Sequence, residues 1–364
     1  MQIYYAPLEG ITGYLYRNLY QEYFGKGMDK YFTPFIVPSG GGYTKHKSMR
    51  DILPENNEGM PIVPQLLSNN AEDFLILAKK IKELGYEEVN LNLGCPYRTV
   101  VSKGRGSGFL GKKQELKEFL DAIFDGCGGK MDISIKTRIG MQDLGEWEEI
   151  LELYNRYPMK ELIIHPRLQK EFYSGTPHKE AFELALAKSK NPLCYNGDIF
   201  TKEDYLDFTK QYPQVDKIMI GRGFLVNPGL YREIKGGEPM TKEEFKAFHD
   251  RLYKEYRSYM GEDRNTHFKM KELWHYMQYL FVTNRADVPA AVGGADAGKI
   301  GEAVGGADAG KIGAAVGGAD MAESETAWKY IKKIRKSVKA AEYEAAVNGL
   351  LRECEIKEGA TFEG

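Results

Sequence analysis

The chain is predicted to fold as a TIM (β/α)8 barrel followed by a small C-terminal helical bundle. Eight strand-like apolar segments alternate with helical patterns up to about residue 221. After Pro239 only helical periodicity remains. The length of 364 residues accommodates a barrel of about 250 residues together with a small appendage. We therefore expect a barrel domain at 1–235 and a helical domain at 236–364.

The predicted strands alternate with amphipathic helical patterns, of which 71–81 and 114–124 are examples. The strand-like segments lie near 3–6, 30–37, 62–67, 88–93, 132–137, 161–165, 192–196 and 217–221. In a TIM barrel the reactive residues lie at the C-terminal ends of the strands. The residues at such ends here are Pro7, Gln65, Asn92, Lys136, His165, Asn196 and Gly221.

The C-terminal region carries helical patterns at 242–259, 267–281 and 322–351. In the last of these, an apolar stripe is flanked by six cations within eleven residues. Runs of charge on a helix usually form a solvated face. The stripe consists of Trp328, Ile331, Ile334 and Val338, and the cations are Lys329, Lys332, Lys333, Arg335, Lys336 and Lys339.

A twelve-residue repeat separates the last two helical patterns. Residues 291–302 read AVGGADAGKIGE, 303–314 repeat them with one change, and 315–320 begin a third copy. Such a glycine-rich tract without aromatic residues buries too little surface to offset its ordering entropy. It predicts a flexible linker at about 287–321, of natural or engineered origin. The spacing of a phosphate-binding loop is absent from the repeat.

Composition narrows the class of protein. Apolar residues make up 42% of the chain, and no apolar run approaches the roughly 20 residues of a membrane span. The N-terminus lacks a secretory pattern, so a soluble, cytoplasmic and monomeric protein is expected. Four separated cysteines without a C-x-x-C pair argue against disulfides and a metal site. The net charge of −2 means that any affinity for nucleic acid comes from a local basic patch.

One segment, 88–110, carries more chemical information than any other. An alternating strand with Val89 and Leu91 leads into Gly94-Cys95-Pro96, and a glycine-rich loop follows at 104–108. A cysteine in a turn is often only a small buried residue. At the C-terminal end of a barrel strand, however, its thiol would face a site.

This segment resembles the Asn-x-Gly-Cys-Pro signature of the tRNA-dihydrouridine synthases. Six further motifs resemble that family and occur in its order over about 1–230, with weaker similarity beyond. They are 6–12 (APLEGIT), 64–66 (PQL), 135–140 (IKTRIG), 164–167 (IHPR) with 173–175 (YSG), 196–199 (NGDI) and 219–228 (MIGRGFLVNP).

The resemblance implies an FMN-dependent enzyme that oxidises NADPH and reduces the C5–C6 bond of uridine in tRNA. Cys95 would be the general acid that protonates C5, and a thiol with an ordinary pKa near 8.5 is mostly protonated at neutral pH. Asn92 would hold the uracil edge. Three rival functions are a dihydroorotate-type dehydrogenase, a ribosomal RNA reductase and a non-catalytic RNA-binding protein.

The resemblance also assigns residues to the cofactor. The turns after strands seven and eight would bind the FMN phosphate through Asn196, Gly197, Asp198, Gly221 and Arg222. The alternative is that the glycines there belong to ordinary βα turns without a ligand. The ring would be contacted by Lys136 and His165, by Gln65 at its pyrimidine edge, and by Pro7 and Leu8.

Further residues are assigned to the substrate. Arg167 and Tyr173 would shape the mouth of the site, while Arg98 and Arg105 of the cysteine loop would contact RNA phosphates. The cations of the helical region form either a solvated face or a surface that binds RNA. In the second case the RNA would contact Lys271, Lys332, Lys333 and Lys336. Thr33-Pro34-Phe35 and Gly13 depart from the family pattern.

Overall fold

The computed structural model describes residues 1–38, 40–41, 44, 46–261, 263–281 and 318–362. The described residues form two compact units. The first comprises Met1–Ile199 and Glu203–Gly221, and the second comprises Phe200–Lys202 and the chain from Arg222 onward.

The first unit contains one parallel sheet. Its strands are β1 (Gln2–Tyr5), β2 (Lys30–Phe32), β3 (Ile62–Val63), β4 (Gln65–Leu66), β5 (Glu88–Leu93), β6 (Asp132–Gly140), β7 (Leu162–Leu168), β8 (Leu193–Tyr195) and β9 (Lys217–Ile220). The strand order is β3-β2-β1-β9-β8-β7-β6-β5-β4, with every pairing parallel. Since β3 and β4 adjoin in sequence, the sheet closes on itself.

Pro64 separates β3 from β4 because proline has no N–H to donate to the ladder. Its carbonyl still accepts a hydrogen bond from the N–H of Asn90 at 2.9 Å. The two short strands therefore occupy one strand position, and the nine strands fill eight. The predicted TIM barrel is confirmed.

The helices of the first unit follow the strands. They are α1 (Tyr14–Tyr23), α2 (His46–Arg50), α3 (Ala71–Glu83), α4 (Arg98–Val101), α5 (Lys113–Cys127), α6 (Glu146–Tyr154), α7 (Lys179–Lys188) and α8 (Lys202–Gln211). At the start of α3, the side chain of Asn70 accepts a hydrogen bond from the N–H of Asp73. At the end of α5, Gly128 adopts a left-handed conformation with φ of 52°. These caps end the elements close to the predicted limits.

The second unit is helical. Its helices are α9 (Arg222–Val226), α10 (Leu230–Ile234), α11 (Lys242–Met260), α12 (Asp263–Met277), α13 (Gly318–Lys336) and α14 (Ala340–Glu353). Its core packs aromatic rings around Tyr343, whose hydroxyl accepts a hydrogen bond from Trp274 Nε1 at 2.8 Å. Because α9 and α10 pack within this unit, the packing divides the chain at Arg222 rather than at the predicted residue 236.

The prediction of one continuous helix at 322–351 is wrong, because the chain forms two helices there, α13 and α14. The Glu342 carboxylate accepts hydrogen bonds from the N–H groups of Val338 and Lys339, which starts α14 with a new cap. Ile331 and Ile334 of the predicted stripe are fully buried, whereas Val338 is 67% exposed in the connection. The stripe therefore ends with α13.

The repeat at 291–314 lies outside the described residues. Its third copy reaches into α13, which begins at Gly318, four residues before the predicted start of the helix. None of the helices in the described ranges combines the length and apolarity needed to cross a membrane.

Candidate active site

The cysteine turn is held by hydrogen bonds from two directions. Asn92 Oδ1 accepts the backbone N–H groups of Gly94 at 3.0 Å and Cys95 at 2.9 Å. The Cys95 carbonyl accepts from the N–H and the hydroxyl of Ser107, at 3.1 and 2.8 Å. The turn thus has a fixed backbone at the C-terminal end of β5, with Cys95 8% exposed.

The glycine-rich loop packs directly on this turn. Gly106 has φ of 55°, a left-handed conformation that glycine adopts without strain. A Cβ atom there would lie 2.8 Å from the Cys95 carbonyl oxygen. The loop glycine is therefore required for close approach to the cysteine turn.

The environment of Cys95 keeps its thiol protonated. Burial raises the pKa of the thiol to about 11, and the charge of Glu9 acts in the same direction. A backbone hydrogen bond from Tyr97 and the cations Arg138 and Lys136 oppose the rise. At neutral pH the thiol is therefore protonated, and its role as the general acid stays a prediction.

Arg138 on β6 connects the cysteine turn to the segment after β7. Its guanidinium is 1% exposed and donates to the carbonyls of Gly94 at 2.9 Å, Leu168 at 2.8 Å and Phe172 at 2.5 Å. Burial lowers the pKa of Arg138 to about 10. Sequence reasoning assigned no role to this residue. Its signal was an arginine two positions after Lys136, on the same face of a strand.

Lys136 lies within β6 and His165 within β7, because these strands continue to Gly140 and Leu168, beyond the predicted ends at residues 137 and 165. Burial, with repulsion from Arg138, lowers the pKa of Lys136 to about 7. In the described part of the chain the Lys136 ammonium makes no hydrogen bond or ion pair. His165 Nε2 accepts from Arg167 Nη1 at 3.1 Å, and its ring stacks on Tyr173 with centroids 6.1 Å apart.

Arg167 was expected to touch the substrate, but its guanidinium is 0% exposed. It donates to both carboxylate oxygens of Asp198, at 3.1 and 2.6 Å, and to the Gly175 carbonyl at 2.6 Å. These partners and His165 occupy its donors, and its place at the mouth of the site stays a prediction. Asp198, expected at the cofactor phosphate, is the anionic half of this pair.

Asn92 and Gln65 are joined to each other. Asn92 Nδ2 donates to Gln65 Oε1 at 2.7 Å, and Gln65 Nε2 donates to Asn90 Oδ1 at 2.8 Å. Gln65 is 0% and Asn92 is 8% exposed. Each amide keeps one N–H beyond these bonds, and their contacts with uracil and flavin stay predictions.

The remaining cofactor candidates lie at strand ends. The N–H of Leu8, next to Pro7, donates to Thr12 Oγ1, and Asn196 Nδ2 donates to the Met219 carbonyl. A Cβ on Gly197 would lie 2.0 Å from the Tyr195 hydroxyl, and one on Gly221 would lie 3.1 Å from Ala6 Cβ. The turn at Gly197 therefore has no room for a side chain beside Tyr195, whereas the turn at Gly221 is crowded by Ala6.

Of the basic residues in the cysteine loop, Arg98 begins α4 and is exposed. Arg105 is half-buried and donates from Nε to Asn69 Oδ1 at 3.1 Å. In the second unit, the Arg222 guanidinium lies over the rings of Phe200 and Phe362, at 5.4 and 5.2 Å from their centroids. Its predicted contact with phosphate stays a prediction.

A basic groove lies between α13 and α14, with a volume of about 790 Å³. Lys332 Nζ lies 5.5 Å from the Trp328 ring and Lys333 Nζ 5.1 Å from the Tyr330 ring. The groove is also lined by Lys329, Lys336 and Glu342.

Lys271, predicted to belong to the same surface, is not among the residues that line this groove. Its ammonium donates to the Ser337 carbonyl at 2.5 Å, near the end of α13. Burial lowers the pKa of Lys271. Its ammonium therefore stabilises the end of α13, and the RNA contact of Lys271 stays a prediction.

In the described ranges no group of three or more His, Cys, Asp or Glu side chains could hold a metal ion.

The sequence matches the model of one protein family, described as dihydrouridine synthase, over residues 4–288. The chain belongs to the dihydrouridine synthase family. The family predicted from the seven motifs is thus confirmed. A probable tRNA-dihydrouridine synthase of Staphylococcus epidermidis is 29% identical over 72% of this chain and 80% of the relative. Probable tRNA-dihydrouridine synthase 2 of Bacillus subtilis is 30% identical over 69% of this chain and 78% of the relative.

The fold is shared with solved enzymes of distant sequence. The fold matches a structure of 2-naphthoyl-CoA reductase in complex with 2-naphthoyl-CoA, over 65% of this chain and 50% of the reductase chain. Its TM-score is 0.50 at 11% identity, which relates the two proteins by fold alone.

Proposed function

We propose that this member of the dihydrouridine synthase family reduces the C5–C6 bond of uridine in tRNA, with bound FMN reduced by NADPH. The observation that carries the proposal is the protonated Cys95 thiol, held by Asn92 at the C-terminal end of β5. Lys136 and His165 lie on the next two strands of the same barrel, β6 and β7. Cys95 would therefore act as an acid beside two residues that would contact the flavin.

The residues present fit a flavin with one phosphate. A Cβ on Gly197 would meet the Tyr195 ring and one on Gly221 would be crowded by Ala6, so glycine suits both turns, and we expect their backbone N–H groups to approach the phosphate. Lys136 supplies a buried ammonium without a partner in the described ranges, suited to a polar edge of the ring. The relatives' family and the sequence resemblance support FMN as the flavin. When bound, the flavin supplies the hydride that adds to C6 of uracil.

Cys95 completes the reduction as general acid. Hydride addition at C6 leaves negative charge delocalised over C5 and the C4 carbonyl oxygen. The Sγ–H bond breaks, its proton forms the new C5–H bond, and the thiolate remains on Cys95. The raised pKa of the thiol ensures that the proton is present over the physiological range and that the thiolate recovers a proton readily.

The second unit supports an RNA substrate over a free pyrimidine. Four lysines and two aromatic rings line the groove between α13 and α14. Lysines neutralise phosphates and aromatic rings stack on unpaired bases, a combination typical of single-stranded or loop RNA recognition.

The proposal is tested with the purified full-length chain, unmodified tRNA transcript and NADPH. We expect dihydrouridine by mass spectrometry of nucleosides, and FMN in the extract of the denatured protein. Ribosomal RNA, free uridine and orotate serve as alternative acceptors. Product from one of these and none from tRNA would replace the proposed substrate, and recovery of FAD would replace the proposed cofactor.

A further inference from the structure

A chain of hydrogen bonds runs through the barrel interior behind the cysteine turn. It continues from Gln65 and Asn90 to two more strands. Asn90 Nδ2 donates to Ser134 Oγ at 2.9 Å, and the Ser134 hydroxyl donates to Glu88 Oε1 at 2.6 Å. Lys30 Nζ lies 2.7 Å from the other Glu88 oxygen and also pairs with Glu161. The chain therefore ends on a partly buried ionic cluster.

The direction of this chain is determined at its charged end. An ionised Glu88 carboxylate can only accept, so the single hydroxyl hydrogen of Ser134 must point toward it. Ser134 Oγ is then left to accept, which requires the amide nitrogen of Asn90 to face it. With its nitrogen toward Ser134, Asn90 presents Oδ1 to Gln65, so Gln65 must donate to it from Nε2.

At the other end the direction reaches the site. Gln65 Oε1 faces Asn92, so Asn92 presents Nδ2 to it and keeps Oδ1 toward the N–H groups of Gly94 and Cys95. If Gln65 rotated by a half-turn about its terminal bond, its NH2 group would meet the NH2 group of Asn92. Asn90, Ser134 and Gln65 are 0% exposed, so water cannot replace a missing partner cheaply.

We propose that Asn90, Ser134 and Glu88 are positioning residues that orient the Gln65 and Asn92 amides and thereby hold the Cys95 turn in place. They act through other side chains rather than on the uracil or the flavin. The inference rests on the proposed function only in that Cys95 is the acid. The chain of contacts itself concerns the protein alone.

Alkylation of Cys95 by iodoacetamide tests this inference without any turnover. Ser134→Ala removes the link between Asn90 and Glu88 while deleting one atom. Site-resolved mass spectrometry of the flavin-loaded protein over about pH 7 to 10 gives the rate at each cysteine. We expect Cys95 to react roughly fivefold faster in S134A, the factor for about 1 kcal/mol of lost order. Its rate should also rise at a lower pH than in the wild type.

Three controls separate positioning from general loosening. Cys127 and Cys194 lie in the same barrel unit and should keep their wild-type rates. Ser134→Thr restores the hydroxyl and should return the Cys95 rate toward that of the wild type. Ser337→Ala is a matched deletion of a buried serine in the second unit, where Oγ donates to the Ile334 carbonyl, and should change nothing at Cys95.

Equal Cys95 rates and pH profiles in S134A and the wild type would overturn the inference, as would parallel acceleration of Cys194. If S134A does not fold, Glu88→Gln keeps the shape of the chain and removes the charge that gives it direction, and an accelerated Cys95 is again required. Dihydrouridine formation is measured on the same samples. A wild type that makes none, with the alkylation difference intact, contradicts the proposed function and not the positioning.

Discussion

The side-chain oxygen of Asn92 lies 2.9 Å from the backbone nitrogen of Cys95 and accepts its hydrogen bond. The residue expected to hold the uracil thus also holds the backbone of the expected acid. If both proposed roles hold, one side chain at the end of β5 positions the uracil edge and the proton donor together, and a shift of Asn92 would displace Cys95 as well.

Replacing Cys95 by alanine should separate the two half-reactions. NADPH should still bleach the flavin absorbance at a near-normal rate, while dihydrouridine formation falls by roughly a hundredfold or more, the contribution of a general acid. Cys127→Ala, a buried cysteine on α5, is the matched control and should leave both rates unchanged. Normal tRNA reduction by C95A would mean that another group protonates C5.

Replacing Lys136 by methionine should stabilise the flavin-free protein at neutral pH. The pKa of Lys136 is lowered from 10.5 to about 7, so between these values the unfolded chain binds more protons than the folded one. The free energy of unfolding of the wild type therefore rises with pH across this window. Below pH 7 the full cost of burying the charge is present.

The advantage of K136M should accordingly be largest below pH 7, amount to several degrees in melting temperature, and shrink as the pH approaches 10.5. Thermal melts over this range measure it. Lys103→Met, at an exposed lysine of the cysteine loop, should show no such pH dependence. A constant difference between K136M and wild type across the window would contradict the lowered pKa.

Alanine at Gly106 should damage the site more than alanine at Gly59. Both residues have positive φ, 55° and 68°, so each substitution carries the left-handed strain of about 1–2 kcal/mol. Only at Gly106 would the new Cβ meet backbone, at 2.8 Å from the Cys95 carbonyl oxygen, whereas Gly59 has open space.

We therefore expect urea unfolding to show a larger loss for G106A, and dihydrouridine formation to fall roughly tenfold or more in G106A alone, because the cysteine turn must shift. Equal effects of the two variants on both measurements would show that the contact with Cys95 is unimportant.

Replacing Lys332, Lys333 and Lys336 by glutamine should weaken tRNA binding. Removing one lysine–phosphate interaction lowers the slope of log affinity against log salt by about 0.7–0.9. Filter binding at several salt concentrations measures the slope. The control replaces Lys112, which precedes α5, together with Lys113 and Lys117 of α5. Each of these is paired with a carboxylate, and the replacement removes the same charge. Similar slopes for both triple variants would show that the groove is only a solvated face.

Deleting residues 291–314, the two complete copies of the repeat, should leave flavin content and tRNA reduction intact. The deletion stops short of Gly318 so that α13 keeps its first turn. Shortening the predicted linker to about a third of its length lowers the closure entropy by about 1 kcal/mol, so the melting temperature should rise slightly. Precipitation or loss of flavin on deletion would show that the repeat is folded structure.

Local signals in the sequence were enough to predict the barrel and the strands that carry the candidate site residues, whose roles stay predictions. Alternation of apolar and polar residues over a few positions predicts a strand. Because a TIM barrel carries its reactive residues toward the C-terminal ends of its strands, the sequence also predicted the strand of Lys136 and of His165 and the turn after the strand of Asn92 for Cys95. The split of the third strand at Pro64 was also implicit in the sequence, because proline cannot complete a ladder.

Only the tertiary structure decided which polar groups keep a free donor. From the sequence, Arg167 and Lys271 were expected to have side chains available to the substrate. In the structure Arg167 donates to Asp198 and Lys271 donates to the Ser337 carbonyl, and both partners are distant in sequence. The break between α13 and α14 likewise depends on a cap from Glu342. Sequence patterns report the tendency of each segment, which is a local property. Hydrogen-bond partners and buried charge depend on which segments the fold brings together, and this is a property of the whole chain.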